Sequence, residues 1–148
     1  MATRFPKGII ANVIGNLTGN VTGNVTGNVS GYALKSEART ATADGTGTGR
    51  ISAGTTHVTV TSANAAHIIT LPEPVPGLKI VLQNGATGYE LRSSAPATIA
   101  INGGAAANAE SAVAAATTVI VECTSPTTWI GSTVTAAGVV GVLEVAAP

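Results

Sequence analysis

GNLTGNVTGNVTGNVSG, from Gly15 to Gly31, repeats a tetrapeptide of Gly, Asn, one aliphatic residue and Thr or Ser. Read as an extended strand, it places Gly15, Leu17, Gly19, Val21, Gly23, Val25, Gly27 and Val29 on one face and leaves only Asn, Thr and Ser on the other. Fixing the backbone costs roughly 4–8 kcal/mol per tetrapeptide, whereas burying its single Val or Leu returns about 1.5–3 kcal/mol. A lone copy therefore lacks the means to stay ordered. Order requires backbone hydrogen-bond partners and a surface for the aliphatic stripe, and identical chains are the simplest supplier of both. The repeat predicts an N-terminal arm, residues 1–34, intertwined in a homotrimer, with Val13, Leu17, Val21, Val25 and Val29 at the oligomer interface.

Other conformations fit less well. A helix also brings residues four apart onto one face, but each interior Gly costs about 1 kcal/mol against Ala and the β-branched Val and Thr add to it. Collagen needs Gly at every third residue, and here it falls at every fourth. A disordered linker matches the Gly and Asn content, yet linkers seldom hold an aliphatic residue in strict phase, and the phase continues outward through Val13 and Ala33. Four overlapping glycosylation sequons at Asn16, Asn20, Asn24 and Asn28 read as by-products of the repeat. The start, MATRFPKGIIANVIGN, has a short apolar run broken by Asn12 and does not read as a secretory signal.

The 148 residues have room for one small domain beside such an arm. Hydrophobic residues make up 45% but aromatics only 3%, so Val, Ile, Leu and Ala must build the core. Charged residues are 9%, well below the usual quarter, which points to surface that is neutral or covered by partners. The formal net charge of zero predicts no broad attraction to nucleic acid or to an anionic membrane; Arg4 and Lys7 on the arm are the one local exception. Cys123, the single cysteine, follows Val119, Ile120 and Val121 and reads as a buried structural thiol.

After the repeat, residues 35–49 turn polar and end in DGTGTGR (Asp44–Arg50), which reads as a flexible linker. A phosphate-binding loop is not indicated, because no Lys followed by Ser or Thr opens a helix there. From Arg50 to Pro148, β-type runs recur about every ten residues, the rhythm of a small antiparallel sandwich or barrel. They are His57–Thr61, His67–Leu71, Lys79–Gln83, Tyr89–Arg92, Thr98–Ile101, Thr117–Cys123, Thr128–Gly131 and Gly138–Val145. Three prolines in Pro72–Gly77 and the Asn84–Gly85 step mark turns. The Ala-rich run Gly103–Ala116 reads as a loop or one to three helical turns.

Catalytic constellations are missing. The acids Glu37, Asp44, Glu73, Glu90, Glu110, Glu122 and Glu144 are scattered, and no nucleophile elbow accompanies His57 or His67. One His per chain around a threefold axis offers a three-nitrogen metal site, but a solvated or singly bonded ring is the commoner state of a His at a strand end. The chain is therefore expected to be non-enzymatic, with no cofactor and no metal. Trp129 in TTWIGS is either a sugar-stacking surface or the large anchor of an aromatic-poor core, and its neighbour Ile130 favours the core.

GNVTGNVTGNV resembles the tetrapeptide runs of tail-fibre and head-decoration proteins of tailed bacteriophages. ISAGTTHVTVTSANAAHIITLP, LKIVLQNG and the closing TTWIGS resemble their small β-domains. The resemblance implies a homotrimeric virion protein, made in the bacterial host cytoplasm, without catalysis; it transfers no active-site residue. A stem this short favours a capsid decoration (cement) protein on the outer head surface, with the major capsid protein as partner. The alternative is a tail-fibre or spike component that recognises a host-surface glycan. Replacing Val21 and Val25 together by Asp puts unpaired charge into the aliphatic stripe. The double variant is expected to lose trimer mass in light scattering; an unchanged mass contradicts the packing.

Overall fold

In HVTVT, Val58 and Val60 alternate with His57, Thr59 and Thr61, and the strand they form buries both valines and exposes the other three. The same period-2 logic builds nearly every element of this chain. The computed structural model describes residues 35–148, which are nearly all β. The strands are β1 (Ser36–Thr40), β2 (His57–Thr61), β3 (Ile68–Thr70), β4 (Lys79–Asn84), β5 (Tyr89–Arg92), β6 (Ala100–Ile101), β7 (Glu110–Val113), β8 (Thr117–Ser125), β9 (Thr128–Thr135) and β10 (Val140–Val142), with one 3-10 turn at Gly47–Gly49. The expected arm, its expected intertwining and the expected interface residues Val13, Leu17, Val21, Val25 and Val29 lie outside the described residues.

A seven-stranded sheet runs β1-β2-β4-β8-β9-β10, with β6 also paired to β9, and a three-stranded sheet runs β3-β5-β7. Their inward residues form one aliphatic cluster that includes Val58, Leu82 and Val121 from the large sheet and Ile69, Leu91 and Val113 from the small one. The pairing is mixed, which corrects the antiparallel expectation: β1–β2, β2–β4, β3–β5 and β6–β9 are parallel. Parallelism follows from the winding. The chain leaves β2 in the large sheet, lays β3 in the small one, returns for β4 and crosses again for β5. Ser36 stands opposite His57, His57 opposite Val81, Arg50 opposite Thr70 and Ile68 opposite Glu90, so each turn of this two-layer coil takes 20 to 24 residues. The antiparallel meander β8-β9-β10 then completes the large sheet.

Two segments depart from the sequence reading. Residues 35–49, expected as a flexible linker, hold β1 and the 3-10 turn. β1 is paired residue by residue with β2, and the Asp44 carboxylate accepts from the Thr46 N–H at 3.0 Å and from the Thr46 hydroxyl at 2.8 Å. Polar composition hid a strand whose partner is 21 residues away. In Gly103–Ala116, residues 110–113 form β7 instead of helix, because pairing with β5 buries Ser111 and Val113. Helix propensity of Ala is a weak preference that such burial overrides.

Asn102 closes the seam between β9 and the segment after β10. Its amide nitrogen donates to the carbonyls of Gly131 (3.0 Å) and Leu143 (2.6 Å), and its amide oxygen accepts from the Gly131 N–H at 2.8 Å. One side chain thus takes the place of a strand neighbour. Its φ of 51° suits Asn, whose short polar side chain tolerates the left-handed region. Gly131 leaves room for its neighbours: a Cβ there meets Leu143 Cδ2 at 2.6 Å and Val121 Cγ1 at 3.1 Å, so a larger residue displaces both side chains. Asn102→Ala leaves the Gly131 and Leu143 groups unpaired and is expected to cost about 1–3 kcal/mol, with strain at positive φ adding to it. Urea unfolding checks this, and an unchanged midpoint contradicts the clamp.

Candidate functional site

Ionisable side chains are the natural first place to look for chemistry, and here most are tied to the scaffold. Four ion pairs form among the described residues: Arg39–Glu37 at 2.6 Å, Arg50–Glu73 at 3.3 Å, Lys79–Glu122 at 3.1 Å, and Arg92–Glu110. Glu144 accepts from the Ala112 N–H at 2.9 Å, Asp44 caps its own turn, and Lys35 donates to the Ala53 carbonyl at 2.8 Å. Burial, then the charges of Glu110 and Glu144, raise the Glu90 carboxyl. Arg50 and Arg92 line a polar cleft with Asp44, Thr70 and Asn108, but each guanidinium already holds a carboxylate.

Histidines and the thiol are equally unpromising. His57 opens β2 in the large sheet, whereas His67 precedes β3 in the small one. Among the described residues no group of three His, Cys, Asp or Glu is placed to hold a metal. Cys123 is 1% exposed, burial raises its thiol, and it donates to the Ser125 carbonyl. Trp129 is fully buried at the centre of the core, and burial pushes up the phenol of the equally enclosed Tyr89. No aromatic face is exposed among the described residues for a sugar ring to stack on.

What the surface does offer is aliphatic. On the outer face of the large sheet, register sets Val81 beside Ile120, Ile120 beside Ser132, Val134 beside Val140 and Ser132 beside Val142. Ile130 sits one pair further along, beside Glu122, which in turn faces Lys79. Val140 and Val142 are 72% and 84% exposed, and Ile130, Val139 and Val145 are more than half exposed. Apart from the mutually neutralising Lys79 and Glu122, this patch carries no charge until Glu144. Among the described residues the other exposed large hydrophobic is Val75, which makes this concentration a candidate contact region. The run Gly138–Val145 was legible as a strand, but its sequence, GVVGVLEV, has no polar face from which its exposure could be read.

The opposite edge of the same sheet is built differently. Glu37 and Arg39 on β1 point inward rather than into solvent; Glu37 also accepts from the Ser52 N–H at 2.8 Å, and Arg39 bonds the Ser52 hydroxyl. Burial opposes ionisation of Glu37, but the bonds from Arg39 and Ser52 outweigh it and hold the carboxyl at about 2. Comparison with known proteins finds no matching family model, no similar curated protein and no similar solved structure.

A carboxyl held below its ordinary value near 4.5 contributes stability that is complete above that value and is lost as pH falls toward 2. Because the Glu37 side chain is only 14% exposed, the contribution is roughly 2–3 kcal/mol. Glu37→Gln is expected to be less stable at pH 7 by that order and to lose part of the wild-type decline between about pH 5 and pH 2. Chemical denaturation across that window checks it; parallel pH curves for the two proteins contradict it.

Proposed function

We propose that this protein is a non-enzymatic structural subunit of a tailed-phage virion, a homotrimeric capsid decoration (cement) protein on the outer surface of the head, with the major capsid protein as its partner. The observation that carries the reading is the pairing of two features in one small chain: a repeat with one aliphatic residue in four, and a β-domain whose exposed valines gather at one sheet edge. Both are features of a chain made to contact other subunits. Ionisable groups spent on ion pairs and turn caps leave little for catalysis, and the residual surface is neutral, as a dry seam between subunits requires.

A glycan-binding fibre tip draws on exposed aromatic platforms, and both aromatic residues of the β-domain are spent on the core. That weighs for the head over the tail. In this reading the arm fixes the oligomer and the β-domain covers a junction between capsid subunits, resisting expansion by burying surface across it.

Gold-labelled antibody against the β-domain, applied to intact particles of the phage that encodes the chain, is expected to decorate the head. Particles made without the protein are expected to release DNA at lower temperature. Label confined to the tail tip, with unchanged heat stability of the head, overturns the assignment in favour of the fibre.

A further inference from the structure

Five strands have a sheet neighbour on one side only among the described residues, β1, β3, β6, β7 and β10, and the chain covers or guards four of them; β6 is covered by the Ile101–Gly104 bridge and the bond from the Ala146 N–H to the Ile101 carbonyl. The β3 edge is covered by residues 42–51, which exchange Thr42 and Ile68 backbone bonds at 3.1 and 2.7 Å and add a bond from the Ile51 N–H to the Thr70 carbonyl. The β7 edge is covered by the C-terminal segment through the Glu110–Ala147 bridge. The β1 edge carries the inward-pointing pair Glu37 and Arg39, a device that discourages pairing with another strand. β10 has no such protection.

The alternation of the antiparallel ladder says which β10 groups are free. Thr135 donates its N–H to the Val139 carbonyl, so Thr133 and Gly141, two residues further along each strand, also form a hydrogen-bonded pair. Gly141 therefore turns its N–H and C=O toward β9. Val140 and Val142 turn theirs away from the sheet, and neither accepts or donates any other backbone bond among the described residues.

We propose that β10 is a strand-addition site for the β10 of a second copy, the two running antiparallel about a twofold axis through Gly141. Val140-Gly141-Val142 reads the same in both directions. Centred on Gly141, the pairing sets Val140 of one copy opposite Val142 of the other and joins each such pair by two backbone hydrogen bonds. The glycines meet at the closer, non-bonded position, where the absence of a side chain costs nothing. Every valine then lies on the face that already carries Ile130 and Val134, extending one aliphatic surface across both copies. The patch has no net charge, so it neither repels its own copy nor selects a charged partner.

The uncharged Val140-Gly141-Val142, the same in both directions, supports a copy as the occupant. Its pairing links one base unit to the next. Three paired residues bury less than the roughly 800 Å² per partner of a standard interface, so the link is weak in solution and gains strength where copies are arrayed side by side.

Sedimentation of the full chain from about 1 µM to about 1 mM, the range of weak interfaces, is expected to show mass rising above the base unit, twofold for a monomer with its single β10 and twofold or more for a trimer with three. The base mass reports the trimer and the rise above it reports β10 pairing, so failure of one and failure of the other are told apart. The double variant Val140→Lys, Val142→Lys is expected to stay at the base mass throughout. Val75→Lys, at an exposed valine away from this edge, is expected to rise in mass like the wild type. Hydrogen exchange of the wild type gives an independent reading: protection of the Val140 and Val142 amides rises with concentration, while Gly141 is protected throughout. A wild type that never rises above the base mass, a rise that survives in the lysine variant, or amide exchange independent of concentration overturns the proposal. Binding of a peptide spanning residues 13–31 to the wild type and not to the lysine variant also overturns it, by naming the arm as occupant.

Discussion

Ladders of inward side chains across the large sheet support the rest of the domain. Val58 lies beside Leu82 and Leu82 beside Val119; in the next row Ile80 lies beside Val121 and Val121 beside Gly131. Each rung belongs to a different pass of the chain, so no pass is stable without its neighbours, and the winding between two sheets brings the passes into register. The second row ends in a gap, at Gly131, which Leu143 fills. That contact, with the Asn102 clamp beside it, holds the C-terminal segment where it can cover the β7 edge. A core so poor in aromatics relies on such close fit, because each Val or Leu buries little area by itself.

Much of this was legible where the information is local. The alternation in HVTVT and the aliphatic run at Ile80–Leu82 mark strands directly, and β2 and β5 occupy the segments read from sequence. What escaped was non-local. SEART contains no Val or Ile, and it is a strand because β2 supplies a parallel partner from a later turn of the coil. ESAV lies inside an Ala-rich run whose local preference is helical, and β5 overrides that preference. Parallel pairing leaves no hairpin turn to recognise, so a rhythm of short strands suggested an antiparallel sandwich. Among candidate functional residues, the aliphatic stripe of the arm rests on the repeat alone, whereas the exposure of Val140 and Val142 required knowing which strand ends the sheet.

Charge is placed with the same economy. With only seven acidic and seven basic residues, the chain puts Glu37 and Arg39 where they keep an edge from pairing, and Arg92 with Glu110 between two strands of the small sheet. Surface pairs such as Lys79–Glu122, about half exposed on both sides, add little to stability and leave the outer face neutral. Selection for solubility alone favours a more charged surface and a gatekeeper residue on an open edge. Their absence at β10 is therefore informative, because an unguarded strand of valines is a liability to a protein that works alone.

On the proposed reading, a subunit that decorates a regular surface makes two kinds of contact with different tasks. One must define the oligomer and withstand dilution before assembly; the other must be weak in solution, so that copies do not aggregate during synthesis, and effective once neighbours are held at fixed spacing. Strand addition over three residues suits the second task, since backbone bonds fix its geometry while the small area keeps it reversible. Effective concentration supplies the rest: anchored copies meet repeatedly, and a contact negligible at micromolar concentration becomes populated when its partners cannot diffuse apart. The neutral, aliphatic character of β10 is what such a seam requires, because salt does not screen it and no ordered charge must be desolvated each time it closes.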